Sequence, residues 1–202
     1  MGFNISGLVI DKNYKNHLTE MESVFDEKMV FDKEVTFEEA CESWKDDKYC
    51  DVYFSEEGTL VFLSMERGGF EFYPKKQKAF SFVLSEMMMM FAVNYVENGF
   101  NIRAYMETES EVLENEGEPF DFELQQEDKS ELIYHLIEET LGDSFHEIDL
   151  DAVCYRYTFG STEEPVIPVV TTKEEPIGVV VEKDVVTEVV ENKETKPWWK
   201  FW

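Results

Sequence analysis

Arginine and cysteine are scarce in this chain, and each scarcity excludes something. There are three arginines, Arg67, Arg103 and Arg156, and 18 Lys and Arg stand against 45 Asp and Glu in 202 residues, for a formal net charge of -27. A field of that sign repels DNA, RNA and anionic lipid and attracts cationic partners. Direct nucleic-acid binding is not expected, because neutralising phosphates takes clusters of Lys and Arg. The three cysteines, Cys41, Cys50 and Cys154, form no C-x-x-C pair. They predict reduced thiols in a cytoplasmic protein, not a disulfide framework. No apolar run approaches the ~20 residues that span a membrane. The opening stretch, MGFNISGLVID, lacks the basic and long apolar regions of a secretory signal.

Catalytic signatures are also missing. There is no GxGxxG, no GxxxxGK[ST], no GxSxG and no HExxH. The histidines are His17, His135 and His146. Helical spacing puts His135 on a polar side between Glu131 and Glu139, where it reads as a solvated imidazole among carboxylates. His146-Glu147 with Asp149 and Asp151 matches no Ca²⁺ loop. Cys41 falls on the apolar face of a helix and reads as a small buried hydrophobe, as do Cys50 and Cys154 in strand patterns. No catalytic residue, metal ligand or cofactor is assigned. Arg103 and Arg156, each flanked by aromatics in a strand, are expected to anchor carboxylates.

Aromatic residues are frequent up to Phe159 and absent from Gly160 to Pro197. That composition shift divides the chain into an α+β domain over 1–160, a Val/Glu/Pro-rich linker over 161–196 and an aromatic motif over 197–202. The linker carries a crude repeat, EEPVIPVV at 163–170 and EEPIGVVV at 174–181. Its prolines favour extended backbone, and as a flexible coil it has an r.m.s. span of about 35 Å. The end, PWWKFW, concentrates Trp198, Trp199, Phe201 and Trp202. Trp and its neighbours are hot-spot chemistry at protein interfaces, and a tether raises the effective concentration of such a motif.

The first 160 residues read as a mainly antiparallel sheet with two or three helices packed on one face. Strand patterns run over 3–10, 27–35, CDVYFS and TLVFLSM about a Glu56-Glu57-Gly58 turn, FEFY after Arg67-Gly68-Gly69, and 152–159. Helices are predicted at 16–25, with Leu18, Met21 and Phe25 on one face. A second follows a Thr36/Glu39 capping box, with Phe37, Ala40, Cys41 and Trp44 on its face. A third opens on Asp128 and Glu131, buries Leu132, Ile133, Leu136, Ile137 and Leu141, and stops at Gly142. EPFDFE is a short strand or loop. Asn98-Gly99 between two alternating runs predicts a type I′ hairpin pairing Tyr95 with Ile102, Asn94 with Arg103 and Val93 with Ala104. One face is then core (Phe91, Val93, Tyr95, Ile102, Ala104, Met106). The other, with Ala92, Asn94, Arg103 and Tyr105, is more polar.

Met87 to Met90 read as part of that strand, with Met87 and Met89 in the core. Met88 and Met90 then face outward beside Arg103 and Tyr105 as an adaptable contact surface. Between Glu107 and Asp151 lie 17 acidic residues and one basic one, Lys129. That imbalance marks a candidate surface for a basic partner, with Glu131, Glu138 and Glu139 on the helix. In general type the chain is similar to bacterial immunity proteins and other inhibitors of basic partners: small, very acidic, α+β, without a catalytic motif. The expected function is a non-enzymatic binding or adaptor protein, with the aromatic end as a tethered second contact. The alternatives are a metal-dependent hydrolase built on carboxylates and a histidine, and a peripheral membrane tether through the aromatic end.

Overall fold

The alternating stretches become strands, and pairing them gives one sheet. The structure is a computed structural model that describes residues 2–42, 44–68, 72–126 and 128–160. Its strands are β1 (Asn4–Ile10), β2 (Lys28–Thr36), β3 (Tyr49–Phe54), β4 (Thr59–Leu63), β5 (Lys78–Ser85), β6 (Met90–Glu97), β7 (Phe100–Thr108), β8 (Glu111–Glu116) and β9 (Val153–Gly160). They lie in the order β2-β9-β3-β4-β1-β5-β6-β7-β8, each antiparallel to its neighbours. The helices are α1 (Leu18–Phe25), α2 (Phe37–Ala40) and α3 (Lys129–Leu141). The class is α+β with the sheet dominant. The expected FEFY strand falls partly outside the described residues. EPFDFE is a loop that ends in a single 3-10 turn, Glu123–Gln125. Among the described residues no helix is long and apolar enough to cross a membrane.

Strand β1 explains the layering. All seven of its residues are buried. Ile5 and Val9 join a core with Phe37, Phe62, Leu136 and Ile137, under α2 and α3. Leu8 and Ile10 point the other way, into a core with Met21, Phe25, Val52 and Val61, under α1. A central strand that is apolar on both sides needs cover on both. Two helices therefore share one face, as expected, and α1 takes the opposite one.

Local signals decide the helix ends. The Asp128 carboxylate accepts from the Ser130 N–H at 2.9 Å, and Gly142 N–H closes onto Glu138 O at 3.0 Å. All five predicted apolar residues of α3 are buried. Thr36 Oγ1 accepts from Glu39 N–H at 3.1 Å, as the capping pattern predicts. Yet α2 stops after one turn, and Trp44, expected on its apolar face, is 89% exposed. Beyond the helix, Lys45 is held by Asp51, buried in β3, at 2.5 Å.

The β6–β7 hairpin turns where predicted, with Asn98 at φ 53 and Gly99 at φ 84, both left-handed as a type I′ turn requires. Glu97 pairs with Phe100 and Val96 with Asn101, but a bulge then skips Ile102. From there Tyr95 pairs with Arg103, Asn94 with Ala104 and Val93 with Tyr105, one residue off the expected register. A one-residue slip moves every later side chain to the other face. Ile102, expected in the core, is exposed, while Arg103 and Tyr105, expected on the outer face, are buried.

The methionine run is corrected too. Ser85 pairs with Met90, so the chain reverses through Glu86–Met89. Met87 and Met89, expected in the core, are 79% and 52% exposed on that turn beside Met88, and Met90 is half-buried at the start of β6. Four identical residues carry no periodicity, so nothing in the run itself marks the reversal.

Candidate interaction surface

Strand β8 closes one edge of the sheet, and all six of its residues are exposed. What fixes it there is Arg103. The guanidinium is 1% exposed and donates from Nε and Nη2 to Glu123 at 3.0 and 2.7 Å. Its Nη1 reaches Asn115 Oδ1 at 2.7 Å and Glu116 O at 2.9 Å. One buried cation thus ties the end of β8 to β7 and to the 3-10 turn. Gly117 completes the anchor: at φ +80 it packs so closely on the bulged Ile102 that a Cβ would lie 2.0 Å from the Ile102 carbonyl oxygen.

The loop after Gly117 carries this edge across to α3. Phe120 meets Tyr95 edge-on at 5.3 Å, Phe122 stacks on Phe120 at 5.3 Å, and Phe122 touches the His135 ring at 3.9 Å. Glu131, Glu138 and Glu139 lie on the exposed side of α3. Of the acidic residues between Glu107 and Asp151 that are described, Glu107, Glu123 and Asp143 are the ones drawn inward; the rest are exposed. Glu107 accepts from the Tyr105 hydroxyl and Asp143 from the Tyr53 hydroxyl at 2.9 Å. Burial, reinforced by Asp143, pushes the Tyr53 phenol up to about 12. The single base of the region, Lys129, sits over the Tyr105 ring at 5.0 Å. The remaining carboxylates are exposed along β8, the loop and α3, an acidic band that takes in both faces of this end of the sheet: Glu131, Glu138 and Glu139 lie on the α3 side, and Glu111, Glu114 and Glu116 on the other.

The structure brings together only some of the residues expected at a site. Glu131, Glu138 and Glu139 belong to the band. Arg103 and Tyr105 lie beneath it and do not face outward beside Met88 and Met90. Trp198, Trp199, Phe201 and Trp202 lie outside the described residues. The histidines do not converge on one set of acids: His17 pairs with Glu20 at 3.0 Å, His135 leans on Phe122, and His146 sits 4.3 Å from the Tyr134 ring. Among the described residues no group of three or more His, Cys, Asp or Glu is placed to hold a metal ion.

Both arginines expected to anchor carboxylates do so. Arg156 donates to Asp51 from Nε at 2.7 Å and from Nη2 at 2.9 Å. Sequence reasoning missed their partners, Glu123 and Asp51, and the second cation on Asp51, Lys45. A signal was present in CDVYFS, where a lone Asp inside an apolar strand calls for a buried cation. A shallow cleft of about 350 Å³, lined by Trp44, Lys45, Lys48, Ser64 and Met65 among others, was not anticipated either. It contains none of the predicted site residues.

Cys50 and Cys154 are buried, and Cys41 is half-buried against the core under α2 and α3. Burial pushes the Cys41 and Cys154 thiols up to about 12 and raises Cys50 still further. The reactive species is the thiolate, and at pH 8 a thiol of that kind is ionised on the order of one part in ten thousand. The native protein is therefore expected to leave all three thiols essentially unreacted toward a disulfide reagent that titrates three after denaturation. Rapid native labelling of any one of them would contradict this.

No family model matches this chain, and neither a curated protein nor a solved structure matches it.

Proposed function

We propose that this protein is a non-enzymatic binding protein of the inhibitor or immunity type, which covers a basic surface on a protein partner with the acidic band of β8, the following loop and α3. The observation that carries the reading is the contrast within the band. Of the described carboxylates Glu107, Glu123 and Asp143 are drawn inward, and the others are exposed on anchored structure with one basic residue, Lys129, among them. Such a surface speeds encounter with a cationic partner and rejects anionic ones, and its binding weakens as salt rises. The aromatic end, Trp198, Trp199, Phe201 and Trp202, makes a second contact with the same partner. Its tether converts that contact into an intramolecular event.

Partner capture tests both halves. The intact chain should recover a basic protein that salt elutes. Glu131→Lys with Glu138→Lys and Glu139→Lys should lose it, and removal of 197–202 should weaken recovery while the domain stays folded. Equal recovery by the lysine variant would refute the acidic contact, and equal recovery by the truncated chain would refute the aromatic one.

A further inference from the structure

The two edges of the sheet differ in charge. Strand β2 carries Lys28, Asp32, Lys33 and Glu34, which balance. Strand β8, EVLENE, carries only Glu111, Glu114 and Glu116. An open edge presents unpaired N–H and C=O groups and is a template for another strand, so proteins guard it. An edge of one sign repels another copy of itself but not a strand of opposite charge.

Register adds a second feature. Glu116 pairs with Ala104, Glu114 with Met106 and, after an irregular step that passes over Leu113, Glu111 pairs with Thr108. Residues 104, 106 and 108 alternate along β7 and share one face, so their partners do too. Without the extra residue Glu111 would point to the opposite side from Glu114. The bulge thus aligns three carboxylates in one row, on the face away from α3, at the spacing of alternate strand residues, about 6.8 Å. Arg103 and Gly117 hold the end of that row rigid. Among the described residues no strand pairs with its outer side.

We infer that β8 receives an extended basic segment as a tenth strand. Main-chain hydrogen bonds form to the open edge, and Lys or Arg at alternate positions face Glu111, Glu114 and Glu116. This rests on the basic-partner reading and specifies how the partner is held. Strand addition takes affinity from the backbone ladder and specificity from alternate side chains, and opposite charges directly across strands attract. A rigid edge has less ordering cost to meet.

The test uses the full chain and two probes: a blocked peptide alternating lysine and valine, and the same peptide N-methylated on the amides that would face β8. The parent peptide should slow hydrogen exchange at the outward amides of 111–116. N-methylation should weaken binding at least ten-fold, as should Glu111→Lys with Glu116→Lys, whose fold is checked by circular dichroism. Equal binding of both peptides, or parent binding without protection in β8, overturns strand addition and leaves the basic-partner reading standing. If neither peptide binds even at low salt, both readings fail.

Discussion

Arg103→Met is expected to destabilise the protein by about 3–5 kcal/mol in urea denaturation, the range for removing one member of a buried ion pair. Ordinary domains are stable by only about 5–15 kcal/mol, so this is a large share of the total. The reason lies in what remains. Glu123 is 5% exposed and would be left among Phe120, Phe122 and Tyr105 without its cation. The end of β8 would lose its anchor at Asn115 and Glu116 at the same time.

The pH dependence of that loss gives the prediction a sign. Burial pushes the Glu123 carboxyl up, and the hydrogen bonds and charge of Arg103, together with the Phe120 N–H and the charge of Lys129, more than offset it, so in the folded protein it sits below its ordinary value of 4.5. A group lowered on folding contributes stability that is complete above its unfolded value and is lost as pH falls through the folded one. Without Arg103 burial dominates and the carboxyl moves up. Its contribution then reverses and is lost as pH rises above the unfolded value. The stability gap between wild type and variant should therefore widen from pH 4 to pH 7. A gap independent of pH would show that Glu123 is not what the arginine stabilises.

Asp51→Ala is expected to cost at least as much. The Asp51 carboxylate is fully buried in β3 and accepts from Lys45 at 2.5 Å and from Arg156 at 2.7 and 2.9 Å. Its removal leaves two cations facing one another, with Glu39, 3.4 Å from Arg156, as the nearest compensation. A loss of about 3–5 kcal/mol is the expectation for one orphaned buried charge, here Lys45, and Arg156 is left with Glu39 alone. The pair also joins β3 to β9, since Asp51 stands opposite Arg156 in the ladder. Lys45→Met in the Asp51→Ala background should recover part of the loss, because it removes the orphan. A double variant no more stable than the single one would contradict the account of this cluster.

What the sequence revealed about the fold was whatever is set by neighbours along the chain. The apolar face and caps of α3, the Thr36 cap and the Asn98-Gly99 turn are all decided within a few residues, and all appear. Sheet order is not local. Strand β9 enters between β2 and β3, which brings Arg156 to Asp51 across more than a hundred residues, and no local pattern encodes that. The bulge at Ile102 is one residue long, yet it exchanged the faces of β7, so Arg103 and Tyr105 moved from an expected contact surface to the interior. The methionine turn was hidden for a related reason: a run of one residue type reads equally well as strand or turn. The acidic band was legible as composition. Its layout was not, because the alignment of Glu111 with Glu114 and Glu116 depends on a second bulge at Leu113.

If the exposed carboxylates of the band meet a basic partner, binding shields them from solvent. Carboxyl footprinting of the captured complex reads that shielding: exposed Asp and Glu are amidated with a carbodiimide and a small amine, with and without partner, and quantified by mass spectrometry. Protection is expected at Glu111, Glu116, Glu131, Glu138 and Glu139, and unchanged labelling at Glu20, Glu38 and Glu42, which are exposed on other parts of the fold. Protection at the latter three with full labelling along β8 and α3 would contradict the basic-partner reading.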